Sequence, residues 1–450
     1  MKRHIRRTSR HTQLFLVAVF VLMGPTAGIL QAREIRSITL GEAIQIALEN
    51  NLDLKRSSNQ VAASELSVQQ ARADFYPNLN ASVSTSEGYS RRVDPISDQT
   101  EGRGSQSLNV RLSSNVTLFN GFGNVASLEK SELDLAATEK SFSRTRESIT
   151  FETISQFLQV LQDKELIQSE AENLEAQRGQ LRRIEEFYKA GNRSMADVLQ
   201  QRAMIAQAEL RVLSAQRSLN VSKLRLLKTM GLEPTMDVEI AELPAEQLAR
   251  LTSDLIPCDS ERMLEKALTK RADVQARKMQ IAAAQKQIRA ARAGYWPALS
   301  LSADAGTGYS SLNEWGGFSD QLFDSSPNAG IGLALSIPIF DRSRTRHSVA
   351  QAEVQLANER LNMESLKQEV AFQIQQAVLD CETAAKQLDV AEAQLTSARR
   401  ALEVTEARYN VGSATLVELA QFRAQYVEAT NDRVKARTNL LLNRVTAEYV

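Results

Sequence analysis

Histidine is almost missing from this chain. Three occur, and His4 and His11 fall near the N-terminus, so His347 stands alone beyond it. A histidine triad and a His-rich metal site are thereby excluded, since each needs several imidazoles brought together. Cysteine is as sparse, with Cys258 and Cys381 only. Two thiols make no disulfide framework. One bridge is open to them in an oxidising compartment, but Cys381 falls on a helical seam and reads as a small hydrophobe. No excess of positive charge exists: 54 basic side chains face 54 acidic ones, which argues against a nucleic-acid partner. Beyond the N-terminus no apolar run reaches the roughly 18 residues of a membrane-crossing helix. Gly121-Phe122-Gly123 lacks the third glycine of a dinucleotide loop and follows no Rossmann-type strand. Acidic residues are plentiful, but on helix-forming composition they read as solvated faces rather than acid–base pairs. The sequence predicts no enzyme, no cofactor and no metal.

What is present begins with a leader. Lys2, Arg3, Arg6, Arg7 and Arg10 precede an apolar stretch, Leu14–Leu30, and a small residue, Ala32. This is the three-part form of an export signal over residues 1–32. An uncleaved anchor is the poorer alternative, because Gly24, Pro25 and Gly28 interrupt the stretch. No cysteine follows it, so the N-terminus is expected to carry no lipid. Removing 1–32 takes away five basic and no acidic side chains, leaving 49 basic against 54 acidic. An exported protein with no helical anchor is either soluble or a β-barrel.

One stretch comes twice. Ala71–Ser84, ARADFYPNLNASVS, is answered by Ala291–Asp304, ARAGYWPALSLSAD, 220 residues on. In each a helix arrives, two aromatics appear, and a proline (Pro77, Pro297) ends the helix because it has no N–H. Apolar and polar residues then alternate, which is strand period. The spacing predicts strands over 77–90, 105–120, 297–310 and 329–340, with Arg91–Gly104 and Ser311–Pro327 as loops. Helices are expected over Thr39–Ala73 and Asp259–Ala293. After each second strand a very long helix is expected, roughly Asn124–Tyr188 and Arg344–Tyr409. In the second, Val349, Leu356, Met363, Val370, Ala377, Ala384, Ala391 and Ala398 recur every seven residues, the mark of laterally packed helices. Each long helix ends at a glycine, in Tyr188-Lys189-Ala190-Gly191 and Tyr409-Asn410-Val411-Gly412. Return helices Met195–Met230 and Thr415–Val450 follow. The division is thus a first repeat over 33–230, a mid-height connector over 231–258 and a second repeat over 259–450. By length, the first return helix is expected to stack end to end on the opening helix of the second half, and Thr39–Ala73 on Thr415–Val450.

Four strands cannot close a membrane barrel; single-chain bacterial barrels start at about eight. An open edge in lipid leaves backbone groups unpaired. Several chains must therefore share one barrel. Two would fill its interior with side chains, whereas three leave a lumen.

At this point the sequence resembles the TolC-like outer membrane efflux protein family over essentially the whole mature chain. The resemblance rests on Arg72-Ala73 before Pro77 and Arg292-Ala293 before Pro297. It rests also on the strand exits Leu118-Phe119-Asn120-Gly121 and Ile339-Phe340-Asp341-Arg342. Last come the two Tyr-x-x-Gly hairpins, followed six residues on by Asp197 and Glu418. It implies a mainly α protein with a membrane β-barrel part: a homotrimer with a twelve-stranded barrel in the outer membrane of a Gram-negative bacterium and an α-barrel tunnel of coiled-coil helices across the periplasm. It implies a passive exit duct for a tripartite efflux pump or type I secretion system, docked to a periplasmic adaptor and an inner-membrane pump or ABC transporter. A periplasmic adaptor and a coiled-coil scaffold are the alternatives; the first lacks β-rich flanks here, and the second leaves the four strands unexplained. Gly191 and Gly412 are the expected docking hairpins, with exposed Met195, Leu416 and Val417 as apolar contacts. Tyr76, Tyr295 and Trp296 are expected at the periplasmic edge of the bilayer. Asp197 and Glu418 are expected to form an acidic ring near the hairpins, beside Tyr188 and Tyr409, or to serve simply as first-turn acids of the return helices. The resemblance adds a gate in which the acid at Asp197 bonds Tyr409 and an arginine two residues past the second hairpin glycine. That arginine is Ala414 here, while Arg193 stands at the matching place of the first hairpin.

Overall fold

The computed structural model describes residues 36–93, 100–243, 260–313 and 316–449. The leader, Cys258, the end of the connector and the tip of the first loop lie outside the described residues. In chain order the elements are β1 (Arg36–Ile38), α1 (Leu40–Asn50), α2 (Leu52–Ala73), β2 (Asn80–Val93), β3 (Thr100–Asn120), α3 (Gly123–Lys189), α4 (Met195–Thr229) and β4 (Val238–Ile240). There follow α5 (Ser260–Lys270), α6 (Ala272–Arg292), β5 (Ala298–Ser310), β6 (Asn328–Ser336), α7 (Arg344–Asn410) and α8 (Leu416–Tyr449).

The long helices α3 and α7 have 67 residues each, roughly 100 Å at about 1.5 Å per residue. Every member of the heptad series from Val349 to Ala398 is buried or half-buried. Laterally, α3 lies between two stacked pairs, α2 with α4 and α6 with α8, while α7 packs on α6 and α8. The order across the layer is therefore α2/α4, α3, α6/α8, α7. The largest apolar cluster sits at mid-height, where Phe157, Val160, Leu226 and Met230 pack beneath α1 and the short parallel pair of β1 with β4.

Two expectations about the helices need correction. Each opening helix is two helices, broken at Asn51 and Arg271, which share φ −57 with ψ of 130 and 131. Asn51 accepts from the backbone N–H of Asp53 and Leu54, a cap that starts α2 afresh. The stacking also runs within halves, not across them. The Asn51 amide donates to the Thr229 carbonyl at 2.8 Å, setting α2 on the end of α4. In the second half Arg144 donates to the Tyr449 carbonyl and lies 3.7 Å from Asp273, so the end of α8 meets the start of α6.

The four long strands form one antiparallel sheet in the order β2-β3-β5-β6. Its register separates two faces. Val83 pairs with Val110, Leu301 with Val116 and Leu333, and Ala303 with Ile331; the alternate positions carry Ser82 with Arg111, Ser302 with Asn115, and Asp304 with Ser113. Through the zone nearest the helices one face is mainly apolar and the other is polar and glycine-rich, because side chains alternate along a strand; farther out the first face turns polar, with Glu87 paired to Gln106. Strands β2 and β3 run farther than expected: Arg91 pairs with Gly102 and Val93 with Thr100, so both ends of the expected Arg91–Gly104 loop are strand, and 94–99 lie outside the described residues. Polarity misled here, because strand residues beyond the apolar zone have no need to be apolar. Conversely β6 stops at Ser336 rather than 340, since Pro338 has no N–H to give a ladder. The Ser311–Pro327 loop holds a helical turn, Phe318–Asp320, continued to Ser325.

Candidate functional site

Both hairpin glycines adopt left-handed backbone at φ 77, and neither has a neighbour that a Cβ would meet. Each ends its long helix as the usual cap: Gly191 N–H donates to Tyr188 and Gly412 N–H to Tyr409. The return helices then begin on reciprocal caps. Asp197 N–H donates to Ser194 Oγ while Ser194 N–H donates back to the Asp197 carboxylate, both at 3.2 Å. Glu418 N–H donates to Thr415 Oγ1 at 3.2 Å, and Thr415 N–H donates to Glu418 Oε2 at 2.8 Å. Donation from the Thr415 backbone and then from its hydroxyl holds the Glu418 carboxyl below the usual carboxylate range. The caps are capping boxes, so the first-turn role is built into both acids.

Between the two hairpins lies a small apolar cluster of Ile184, Val198, Tyr409, Ala414, Leu416 and Leu419. Leu416 is 4 % exposed, which corrects its expected place on the surface. The residue after the second cap turns inward because α8 packs on α3 there. Met195, Val417 and Tyr188 are exposed. The guanidinium of Arg193 lies 4.5 Å from the Tyr409 ring centre, so the structure brings these two residues together across the hairpins. It does not join Asp197 to Tyr409 within the chain: the carboxylate serves Ser194, and the buried Tyr409 hydroxyl has no hydrogen-bond partner.

Above the cluster, a polar seam runs between α3 and α8 that the sequence reading missed. Asn431 donates to Glu170 at 2.8 Å, Arg437 pairs with Glu165, and Gln201 of α4 donates to Gln177 at 2.7 Å. Its signal was available, since Asp163, Glu170, Gln177 and Ile184 are seven residues apart and all buried. At the other end of the molecule Tyr76, Tyr295 and Trp296 are exposed beside the strand entries. Gly121, at φ 65, lies so close to Trp296 that an added Cβ would come within 2.6 Å of it, locking the first strand exit against the second entry. Among the described residues no helix is long and apolar enough to cross a membrane, and no three His, Cys, Asp or Glu residues gather as a metal site.

A two-faced sheet continued by helices of this length defines an outer-membrane channel protomer. The solved outer-membrane channel OprN superimposes with a TM-score of 0.76 at 20 % identity, over 91 % of this chain and 89 % of that one. The outer membrane efflux protein family matches residues 43–232 and 263–446, and the chain belongs to that family. The pyoverdine export outer membrane protein OpmQ of Pseudomonas aeruginosa is 25 % identical over 88 % of this chain and 81 % of its own length. The outer membrane protein TolC of Escherichia coli K12 is 22 % identical over 90 % of this chain and 80 % of its own. The protein is thus a TolC-like efflux channel of the outer membrane, and its relatives are channels rather than enzymes.

Proposed function

We propose that the chain is one third of a passive exit duct, a homotrimer that closes a twelve-stranded barrel in the outer membrane and a twelve-helix tunnel beneath it. The observation that carries this is the coincidence of open flanks. In the sheet the unpaired edges are β2 and β6; in the helix layer the free flanks are α2/α4 and α7. These are the same two sides of the chain, since α2 leads into β2 and β6 leads into α7. A head-to-tail ring satisfies both layers in one operation, which is how heterologous interfaces close. The apolar sheet face then meets lipid and the polar face lines the lumen. A coiled-coil scaffold would need neither face. Matched features of the halves, including ion pairs Arg72–Glu132 and Arg292–Glu353, support an internal duplication.

The long helices carry the hairpins away from the membrane, so Gly191 and Gly412, with Met195 and Val417, form the docking end for a periplasmic adaptor and its inner-membrane pump or ABC transporter. The strand connections expected within Arg91–Gly104 and Ser311–Pro327 face outside, and Tyr76, Tyr295 and Trp296 mark the inner edge of the bilayer. Residues 1–32 are removed on export, without lipid attachment. Arg193 on Tyr409 holds the hairpins together in place of the arginine replaced by Ala414, and three copies each of Asp197 and Glu418 draw cations to the tunnel mouth. Native mass spectrometry of the detergent-extracted protein is expected to give a trimer beginning at Arg33. A monomer or a lipidated N-terminus overturns the corresponding part. In planar bilayers, Arg193→Ala should raise conductance and Glu418→Ala should weaken cation selectivity; unchanged values remove the gate and the ring respectively.

A further inference from the structure

The two halves correspond at an offset of 220 to 221 residues, so each position of α3 and α8 that packs inside the chain has an equivalent position on α7 or α4. Among the described residues α4 and α7 share no substantial packing. They are the free flanks, and several of their exposed apolar residues are the counterparts of buried ones. Val434 of α8 is 4 % exposed, whereas its counterpart Leu213 of α4 is 65 % exposed. Leu158 of α3 is 1 % exposed and its counterpart Leu379 of α7 is 54 % exposed. Ala272 of α6 is buried and Leu52 of α2 is exposed.

The groove that would receive α4 is present. Inside the chain the stretch Asn431–Arg437 lies against Glu165 and Glu170, beside Arg211. Shifted by 221, these receiving positions become Lys386, Ala391 and Asp432. All three line an open groove of about 450 Å³ between α7 and α8, together with Val390, Gln394 and Lys435. The inserted positions Asn431 and Val434 become Leu210 and Leu213, both 65 % exposed.

Resting on the trimeric reading above, we propose that Leu210 and Leu213 of one chain seat in the Lys386–Gln394 groove of the next. The occupant is a second copy of this chain. The two kinds of seam then differ in chemistry. Inside each chain the seam is polar, with Glu170 bonded to Asn431. Between chains the central contact is apolar, with Leu210 against Ala391 and Val390, inside a polar rim of Lys386, Gln394, Asp432 and Lys435. Knobs of one helix entering holes between two others is the packing that a sustained seven-residue repeat produces.

The test places a photo-crosslinking residue at Leu210 in trimers assembled from mixed heavy- and light-isotope chains. The expected product links position 210 to a peptide containing residues 383–394 of a differently labelled chain. A link within one chain, or to another region, overturns the assignment. In parallel, Leu210→Asp with Leu213→Asp should raise the monomer fraction at least tenfold while far-ultraviolet dichroism keeps its helix content; trimers of unchanged stability overturn it too. If the unmodified chain is itself monomeric in detergent, the duct reading fails. If it is trimeric and the label goes elsewhere, only this contact fails.

Discussion

Glu418 and Asp197 occupy the same point of two return helices, and each closes a reciprocal cap with the hydroxyl residue three places before it. Glu418 has a lowered pKa because its charged form takes the Thr415 N–H. A carboxyl lowered in the folded state adds stability that is complete above its unfolded pKa, about 4.3, and is lost as pH falls through the folded value. Glu418→Gln is therefore expected to lower Tm at pH 7, and the difference should vanish as pH falls through the folded value, below the unfolded one; thermal scans from pH 7 into the acid range check this. Replacing the first cap, Ser194→Ala, should cost ~1 kcal/mol. The Arg193 contact is with the Tyr409 ring rather than its hydroxyl. A double-mutant cycle of Arg193→Ala with Tyr409→Leu should give a coupling of about 0.5–2 kcal/mol, and Tyr409→Phe should preserve it. Loss of coupling in the phenylalanine variant would assign the effect to the hydroxyl.

Among the elements, the joint between α4 and α2 and the two hairpins all use left-handed glycine, but their surroundings differ. Gly231 sits at φ 68, and an added Cβ would stand 2.6 Å from the Asn50 carbonyl oxygen, whereas Gly191 and Gly412 face open space. Gly231→Ala thus adds a backbone clash to the left-handed strain of roughly 1–2 kcal/mol, and the hairpin variants suffer the strain alone. Chemical denaturation should rank Gly231→Ala clearly below Gly191→Ala and Gly412→Ala. These joints also mark how far the sequence could be read. The long helices were legible because their seam repeats without a gap, and the hairpins because glycine follows them. The breaks at Asn51 and Arg271 were not, since neither residue stops a helix by itself; what fixes Asn51 is the Thr229 carbonyl, distant in sequence. Leu416 was misplaced for a similar reason: a hairpin read alone does not reveal that α8 packs on α3. The pairing of Arg193 with Tyr409 was legible only as one of two alternatives.

For the whole molecule, the two faces of the sheet make opposite demands on the same strand. Leu301 pairs with Val116 and Leu333 on the apolar face, and its neighbour Ser302 points to the other. Leu301→Arg should cost about 2–4 kcal/mol in lipid and reduce the assembled outer-membrane fraction, while Ser302→Arg should assemble normally; equal behaviour would remove the distinction between the faces. The equal lengths of α3 and α7 bear on how such a chain can change over generations. A seven-residue insertion in one long helix would leave its hairpin protruding past the other by roughly 10 Å and its seam without partners. Length is heritable only in concert: a longer descendant must gain the same number of residues in α3, in α7 and in each return helix together. A one-residue insertion in either helix alone would turn every later seam position off its partner by about 100°, a packing cost that falls on the chain whatever its cargo.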